Sequence, residues 1–297
     1  MSTLTIADRQ EPHFRRAWMR ALAMVTGRHL PPEVVEDAYR TGTPATVIAA
    51  IPWLPFMAEL VDRLTPAYRA VMVAAGGIGE ENVPEGDPHQ AIAKADFNFN
   101  GLNPRATQWI LRHSGDLVRN VTAESQQAIR AIVLDMFQRG IPAETGARII
   151  REHIGLTQRQ SAALWRFQLG FQDKLTTGTL SQTEVNAKVR DYRTQLLASR
   201  AKMIARTESM TASNQGQQEA WLQASEQGYL GDDAMREWII TDDERLCQVC
   251  APVPKRGPVG LQESFILGDG SSLMVPPAHP SCRCTTRLVF GRQRSAA

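Results

Sequence analysis

Four cysteines and one histidine toward the end of the chain carry its most specific chemistry. They read Cys247-Gln248-Val249-Cys250, then twenty-eight residues, then His279-Pro280-Ser281-Cys282-Arg283-Cys284, and no other cysteine stands in the 297 residues. A Cys-x-x-Cys pair wraps two thiolates around one ion at about 2.3 Å each, and a second cluster from a distant segment completes a tetrahedron. The pattern predicts one structural zinc site. Five donors compete for four places. Cys282 and Cys284 are two apart and share a face if their segment is a strand. That favours Cys247, Cys250, Cys282 and Cys284, with His279 behind them; the alternative keeps His279 and drops one of the last two cysteines. Reduced thiols or two disulfides are the competing reading.

Catalysis by such an ion would need an open coordination position and a general base beside it. A fourth thiolate is at hand to close the sphere, and no His-x-Glu accompanies the cysteine pair as in base deaminases. His13, His29, His89, His113 and His153 are scattered far upstream and form no triad with a serine or cysteine. A zinc hydrolase or nuclease is therefore the weakest reading, and the expectation is a protein without catalytic residues. Arg206, Glu208 and Asn214 form a second polar cluster, read as a structural junction that cross-links a helix to the cysteine module by ion pairs and hydrogen bonds.

Charge alone nominates no partner, since 33 Lys and Arg face 31 Asp and Glu. A local excess lies between Glu124 and Met210, and Arg283, Arg287, Arg292 and Arg294 follow with no acid among them. These four are the candidate DNA contacts. No segment has the makeup of a secretory signal, and Pro44, Pro52 and Pro55 interrupt the uncharged run Thr41 to Ala58, which speaks against a membrane helix there. The expectation is a soluble protein made in a reducing cytoplasm, where clustered thiols favour metal over disulfide.

The elements that must position these residues are mostly helical. Residues 1–75 read as short helices: one with Phe14, Trp18, Ala21, Leu22 and Val25 on a face, Pro12 in its first turn and Gly27 at its end; a second after Pro31-Pro32; a third from about Phe56 to Val73. Residues 76–105, rich in Gly, Pro and Asn, read as a linker or extended arm. A helix over Ala123 to Arg139 stops at Gly140, and Pro142 opens the next, which runs to Gly155. Thr157 with Gln160, and Ser181 with Glu184, fit capping boxes. Helix, glycine turn and helix over 142–175 could present Gln158, Arg159 and Gln160 to DNA, but Ala162, Leu164, Trp165, Leu169 and Phe171 speak for packing. Beyond Gly228, Arg236 to Thr241 and Arg283 to Phe290 read as strands around a Gly- and Pro-rich segment. The fold class is mainly α: a helical body (106–227) with a small C-terminal α+β module (228–297) stapled by zinc.

At this point the residues resemble a family. Ala205-Arg206-Thr207-Glu208 with Asn214, then Trp221, Gly228, Trp238, Asp242, Cys247 with Cys250, and Pro276-Pro277 leading to His279, Cys282, Arg283 and Cys284, resemble the head morphogenesis family of tailed bacteriophages, the Mu F-like minor head proteins. Upstream, Asn103 to Ala106, Trp109, Asn120 to Thr122, Gln127 to Arg130, Ala147 and Ile150 are similar to it too. The likeness covers about residues 100 to 290. It implies a minor capsid protein, made in the host cytoplasm and located in the virion inside the capsid near the portal. Its implied partners are the portal protein, the major capsid or scaffolding protein, and packaged double-stranded DNA, with no membrane. The reading from a different class is a DNA-binding protein using the basic helical face and the arginine tail.

Overall fold

The computed structural model describes residues 2–26, 29–83, 97–241, 243–244 and 246–291. The described chain is mainly helical, with small β elements confined to the C-terminal module. Its helices are α1 (Thr3–Thr26), α2 (Pro32–Thr41), α3 (Ala45–Ala50), α4 (Trp53–Glu81), α5 (Pro104–Gln138), α6 (Ala143–His153), α7 (Gln158–Leu169), α8 (Gln172–Thr176) and α9 (Gln182–Glu226). The strands are β1 (Ala234–Ile239), β2 (Val259–Gly260), β3 (Phe265–Ile266), β4 (Ser272–Leu273) and β5 (Thr285–Phe290). None of the described helices is long and apolar enough to cross a membrane.

Two compact units result, and they do not follow the consecutive segments 1–75, 76–105, 106–227 and 228–297. One comprises Met1–Arg15, Thr65–Arg112 and Met203–Ala297, the other Arg16–Leu64 and His113–Lys202. Each of α1, α4, α5 and α9 contributes residues to both, because a helix of 24 to 45 residues is longer than one hydrophobic core requires.

The second unit buries Trp18, Val35, Phe56, Leu60, Ile129, Met136, Ile150 and Leu164. Both capping boxes form, Thr157 with Gln160 and Ser181 with Glu184, each satisfying two backbone donors that the first helical turn leaves free. Gly140 ends α5 with a positive φ of 66°. Arg200 and His153 are among the polar side chains enclosed here. Arg200 lies over the Trp18 ring at 5.4 Å and donates to the Gly155 carbonyl and Glu124. His153 is fully buried, its Nδ1 2.6 Å from Ser161 Oγ, and burial together with Arg193 pushes its pKa down to about 3, so it packs as a neutral ring. Gln158 and Arg159 are exposed at the start of α7, whereas Gln160 is occupied by its cap and by the Leu196 carbonyl.

In the first unit α9 is the central element. Its buried face is unusually polar, carrying Ser209, Ser213, Asn214, Gln217, Gln218, Glu219 and Gln223. Each long amide or acid fixes another segment: Gln217 accepts from Thr3, Gln218 donates to the Leu261 carbonyl, and Gln223 pairs both ways with the backbone of Asn100. Glu219 accepts from Asn103 and Arg105. Trp221 donates to the Gly79 carbonyl at 3.1 Å and packs with Val83, Phe97, Leu230 and Leu261.

Three expectations are corrected. Pro12 sits inside α1 rather than in its first turn, since the helix begins at Thr3. The first residues of the arm expected over 76–105 are helical, as α4 continues to Glu81, and Pro84, Gly86 and Pro88 lie outside the described residues. Gly76 and Gly79 are not helix breakers: a Cβ on Gly76 would stand 1.9 Å from the Phe99 ring, and one on Gly79 2.8 Å from Ala220 Cβ. They are small because other segments lie against them. The third concerns Cys282 and Cys284, which precede β5 instead of lying on it. Gly27 lies outside the described residues.

The same packing separates two substitutions of equal chemistry. A Cβ on Gly216 would stand 2.5 Å from the Met72 carbonyl oxygen, whereas one on Gly77 meets nothing within 4 Å. In urea denaturation Gly216→Ala is expected to lose about 1–3 kcal/mol by overpacking. Gly77→Ala is expected to gain up to about 1 kcal/mol from helix propensity.

Candidate metal centre

The C-terminal module is built on a three-stranded antiparallel sheet of order β2-β1-β5 and a short β3-β4 hairpin. Strand alternation puts Ala234, Arg236 and Trp238 of β1 on its buried face. Trp238 meets Phe265 edge to face at 5.2 Å and packs with Val253, Leu267, Cys250, Cys282 and Cys284. Ile240, Leu246, Val249, Val259 and Leu273 pack around it, and three of the cysteines are themselves buried members of this core.

The sulfurs and the imidazole fall into two trios that share Cys250: Cys247, Cys250 and His279, and Cys250, Cys282 and Cys284. Within each trio every donor atom lies within 4.8 Å of the others, so the cluster can hold a metal ion. All four cysteines are free thiols. Cys250 Sγ and Cys282 Sγ are 3.8 Å apart. That is about the edge of a tetrahedron with 2.3 Å metal–sulfur bonds, and far above a disulfide length of about 2.05 Å. Cys247 Sγ lies 3.0 Å from His279 Nε2. The donor set therefore fits a thiophilic cation.

Local backbone donors prepare the sulfurs. The Cys250 N–H points at Cys247 Sγ at 3.3 Å. The Cys284 thiol donates to Cys282, which also receives the N–H groups of Cys284 and Ala278, and its pKa falls to about 5 despite burial. Cys250 is pushed up by burial and by Cys282 beside it, and Cys284 by its hydrogen bond to Cys282 and then by burial. A bound divalent cation reverses such repulsion, since coordinating thiols are deprotonated. The Trp238 indole N–H has no hydrogen-bond partner of ordinary geometry, and its field favours the thiolate of Cys284.

The junction residues lie where α9 meets this cluster. Asn214 donates to the Cys284 carbonyl at 3.3 Å and accepts from Thr285 Oγ1 at 2.7 Å. Thr207 Oγ1, about two turns earlier, accepts the Ser281 N–H at 3.0 Å. Glu208 takes the Tyr68 hydroxyl proton donor at 2.6 Å, and Arg206 stands 3.8 Å from Asp8. Of the three, Asn214 touches the cysteine segment, and Glu208 and Arg206 hold α9 to α4 and α1.

The arginines named as DNA contacts are placed differently. Arg283 forms a two-pronged pair with Asp243 at 2.6 and 2.7 Å and is largely covered. Arg287 pairs across the sheet with Glu237, its register partner. Arg292 and Arg294 lie outside the described residues, as do His89 and Asp242. Both described arginines thus have a carboxylate partner that a phosphate would have to displace.

One functional cation escaped the sequence reading. Arg236 is wholly buried, lies 5.1 Å over the Phe265 ring, and donates to the carbonyls of Gly260, Met274 and Glu263. It ties together the loops around the hairpin, and burial lowers its pKa to about 10, still charged at neutral pH. The signal was present: in an alternating strand, position 236 falls inward between Ala234 and Trp238. Compared with protein-family models, curated proteins and solved structures, the chain matches none of them.

Replacing Arg236 tests how far the module depends on it. Arg236→Met is expected to lower stability by about 3 kcal/mol or more, because three buried carbonyls lose a charged donor. Arg236→Lys is expected to recover less than half, as an ammonium lacks the planar fork. Urea unfolding followed by tryptophan fluorescence reads both.

Proposed function

We propose that this chain is a non-enzymatic minor head protein of a tailed bacteriophage, of the head morphogenesis (Mu F-like) kind, acting in procapsid assembly beside the portal. One observation supports this above the rest. The two stretches on which the resemblance depends, Ala205 to Asn214 and Pro276 to Cys284, are some seventy residues apart, yet are joined by Asn214 to Cys284 and Thr285 and by Thr207 to Ser281. A motif whose halves meet is a structural unit, and its residue types are those of a scaffold.

The ion in this reading is zinc, in a structural role. Thiolate and imidazole donors select it over hard cations, which prefer oxygen. Five donors for four places leave no position for a substrate. The remaining surfaces meet the portal and the major capsid or scaffolding protein inside the virion. Contact with packaged DNA is a lesser part of the proposal, since Arg283 and Arg287 are already paired.

Co-expression of the full chain with the portal and major capsid proteins encoded beside it provides the test. Co-sedimentation with portal rings and recovery in procapsids is expected. Steeply salt-dependent binding to duplex DNA, with no retention on portal or procapsid, would replace this reading with that of a DNA-binding protein.

A further inference from the structure

The metal reading leaves five donors for four positions, and the backbone distinguishes among them. Cys247-x-x-Cys250 and His279-x-x-Cys282 have the same spacing. Both close the same i-to-i+3 hydrogen bond: the Cys250 N–H reaches the Cys247 carbonyl at 3.2 Å, and the Cys282 N–H reaches the His279 carbonyl at 3.1 Å. The turns differ in type, since Ser281 adopts a φ of 60° in the second, a conformation uncommon for a residue with a side chain. Their last residues, Cys250 and Cys282, meet at 3.8 Å.

His279 is oriented as a ligand. Its Nδ1 lies 3.0 Å from the Pro280 carbonyl, which can only accept, so Nδ1 carries the proton and Nε2 presents its lone pair toward Cys247. A metal-bound imidazole is held in this way, one nitrogen on the ion and the other donating to a carbonyl or carboxylate.

Cys284 stands apart from the second turn. Its carbonyl is held by Asn214 and it is buried against Trp238, outside the Cys-x-x-Cys and His-x-x-Cys turns; its sulfur shares a trio with Cys250 and Cys282. A thiol there is placed to donate to the Cys282 sulfur, with the Trp238 ring packed beside it. Such an outer hydrogen-bond chain orients a ligand sulfur and screens it from water.

We propose that the ion is bound by Cys247, Cys250, His279 and Cys282, and that Cys284 is a positioning residue that hydrogen-bonds to Cys282 without touching the metal. The inference rests on the metal reading above and refines it. It reverses the four-cysteine set that strand spacing favours, because Cys282 and Cys284 are not on a strand.

Cobalt(II), which takes tetrahedral zinc sites and absorbs visibly, serves as the probe on the full chain. One equivalent with tetrahedral absorption and three-thiolate charge transfer is expected. Cys284→Ser should keep both, whereas His279→Ala should lose or shift the tetrahedral bands, and Cys282→Ser should lose about a third of the charge-transfer intensity. Loss of charge transfer in Cys284→Ser with an unchanged spectrum in His279→Ala would overturn the ligand set. Cadmium-113 resonance of the unsubstituted protein reads sulfur number directly and needs no variant to fold: a three-sulfur, one-nitrogen shift supports the proposal and a four-sulfur shift overturns it. Failure of the unsubstituted protein to bind cobalt, cadmium or zinc would instead overturn the metal reading itself.

Discussion

Two loops, Cys247 to Cys250 and His279 to Cys284, place their sulfurs and one imidazole together at the heart of the C-terminal module. Around it the sheet is small: β2 contributes two residues, and β3 and β4 two each. The two-stranded β3-β4 hairpin is marginal by itself, and the three-stranded sheet depends on its buried face. Trp238, Phe265, Leu267 and Val253 give the module a core, but three of its buried members are cysteines. Thiols at such positions pack as small apolar groups when neutral, and as ligands they link segments far apart in sequence. The same cysteines thus serve the module's apolar core and form the cluster that can hold a metal ion.

The constraint extends beyond the module. Asn214 connects the Cys284 carbonyl and Thr285 to α9, and Gln217, Gln218, Glu219 and Gln223 continue the same buried face toward Thr3, Leu261, Asn103 and Asn100. A helix with so polar a buried face has little affinity for a generic apolar surface. Each amide fits one backbone carbonyl or hydroxyl, so the register of the surrounding segments is set by hydrogen bonds whose loss inside the protein would be costly. Arg236 does the same from the opposite side, with one guanidinium serving three loop carbonyls.

Much of the helical fold was legible because its signals are local. Gly140, Pro142, Thr157 with Gln160 and Ser181 with Glu184 mark helix ends by backbone chemistry that acts within four residues. The donors of the metal cluster were legible for a similar reason, since cysteine spacing survives without knowledge of the fold. What escaped depends on distant neighbours. Gly76 and Gly79 look like breakers until Phe99 and Ala220 are seen against them. The residues of each compact unit come from three or two separate stretches, which no composition shift marks. Arg236 hides in a short strand beside Glu237, where a neighbouring pair of opposite charges reads as surface. Cys282 and Cys284 were placed on a strand that begins one residue after them, and their facing changed accordingly.

The account stands most directly on whether a bound metal orders the module and its contact with α9. Amide hydrogen exchange on the full chain, before and after zinc is stripped by a strong chelator to below about a tenth of an equivalent, measures this by segment. Loss of protection over residues 246–291 and around Asn214, with the amides of α6 unchanged, is the predicted result. Protection that stays the same throughout after zinc has gone would contradict it.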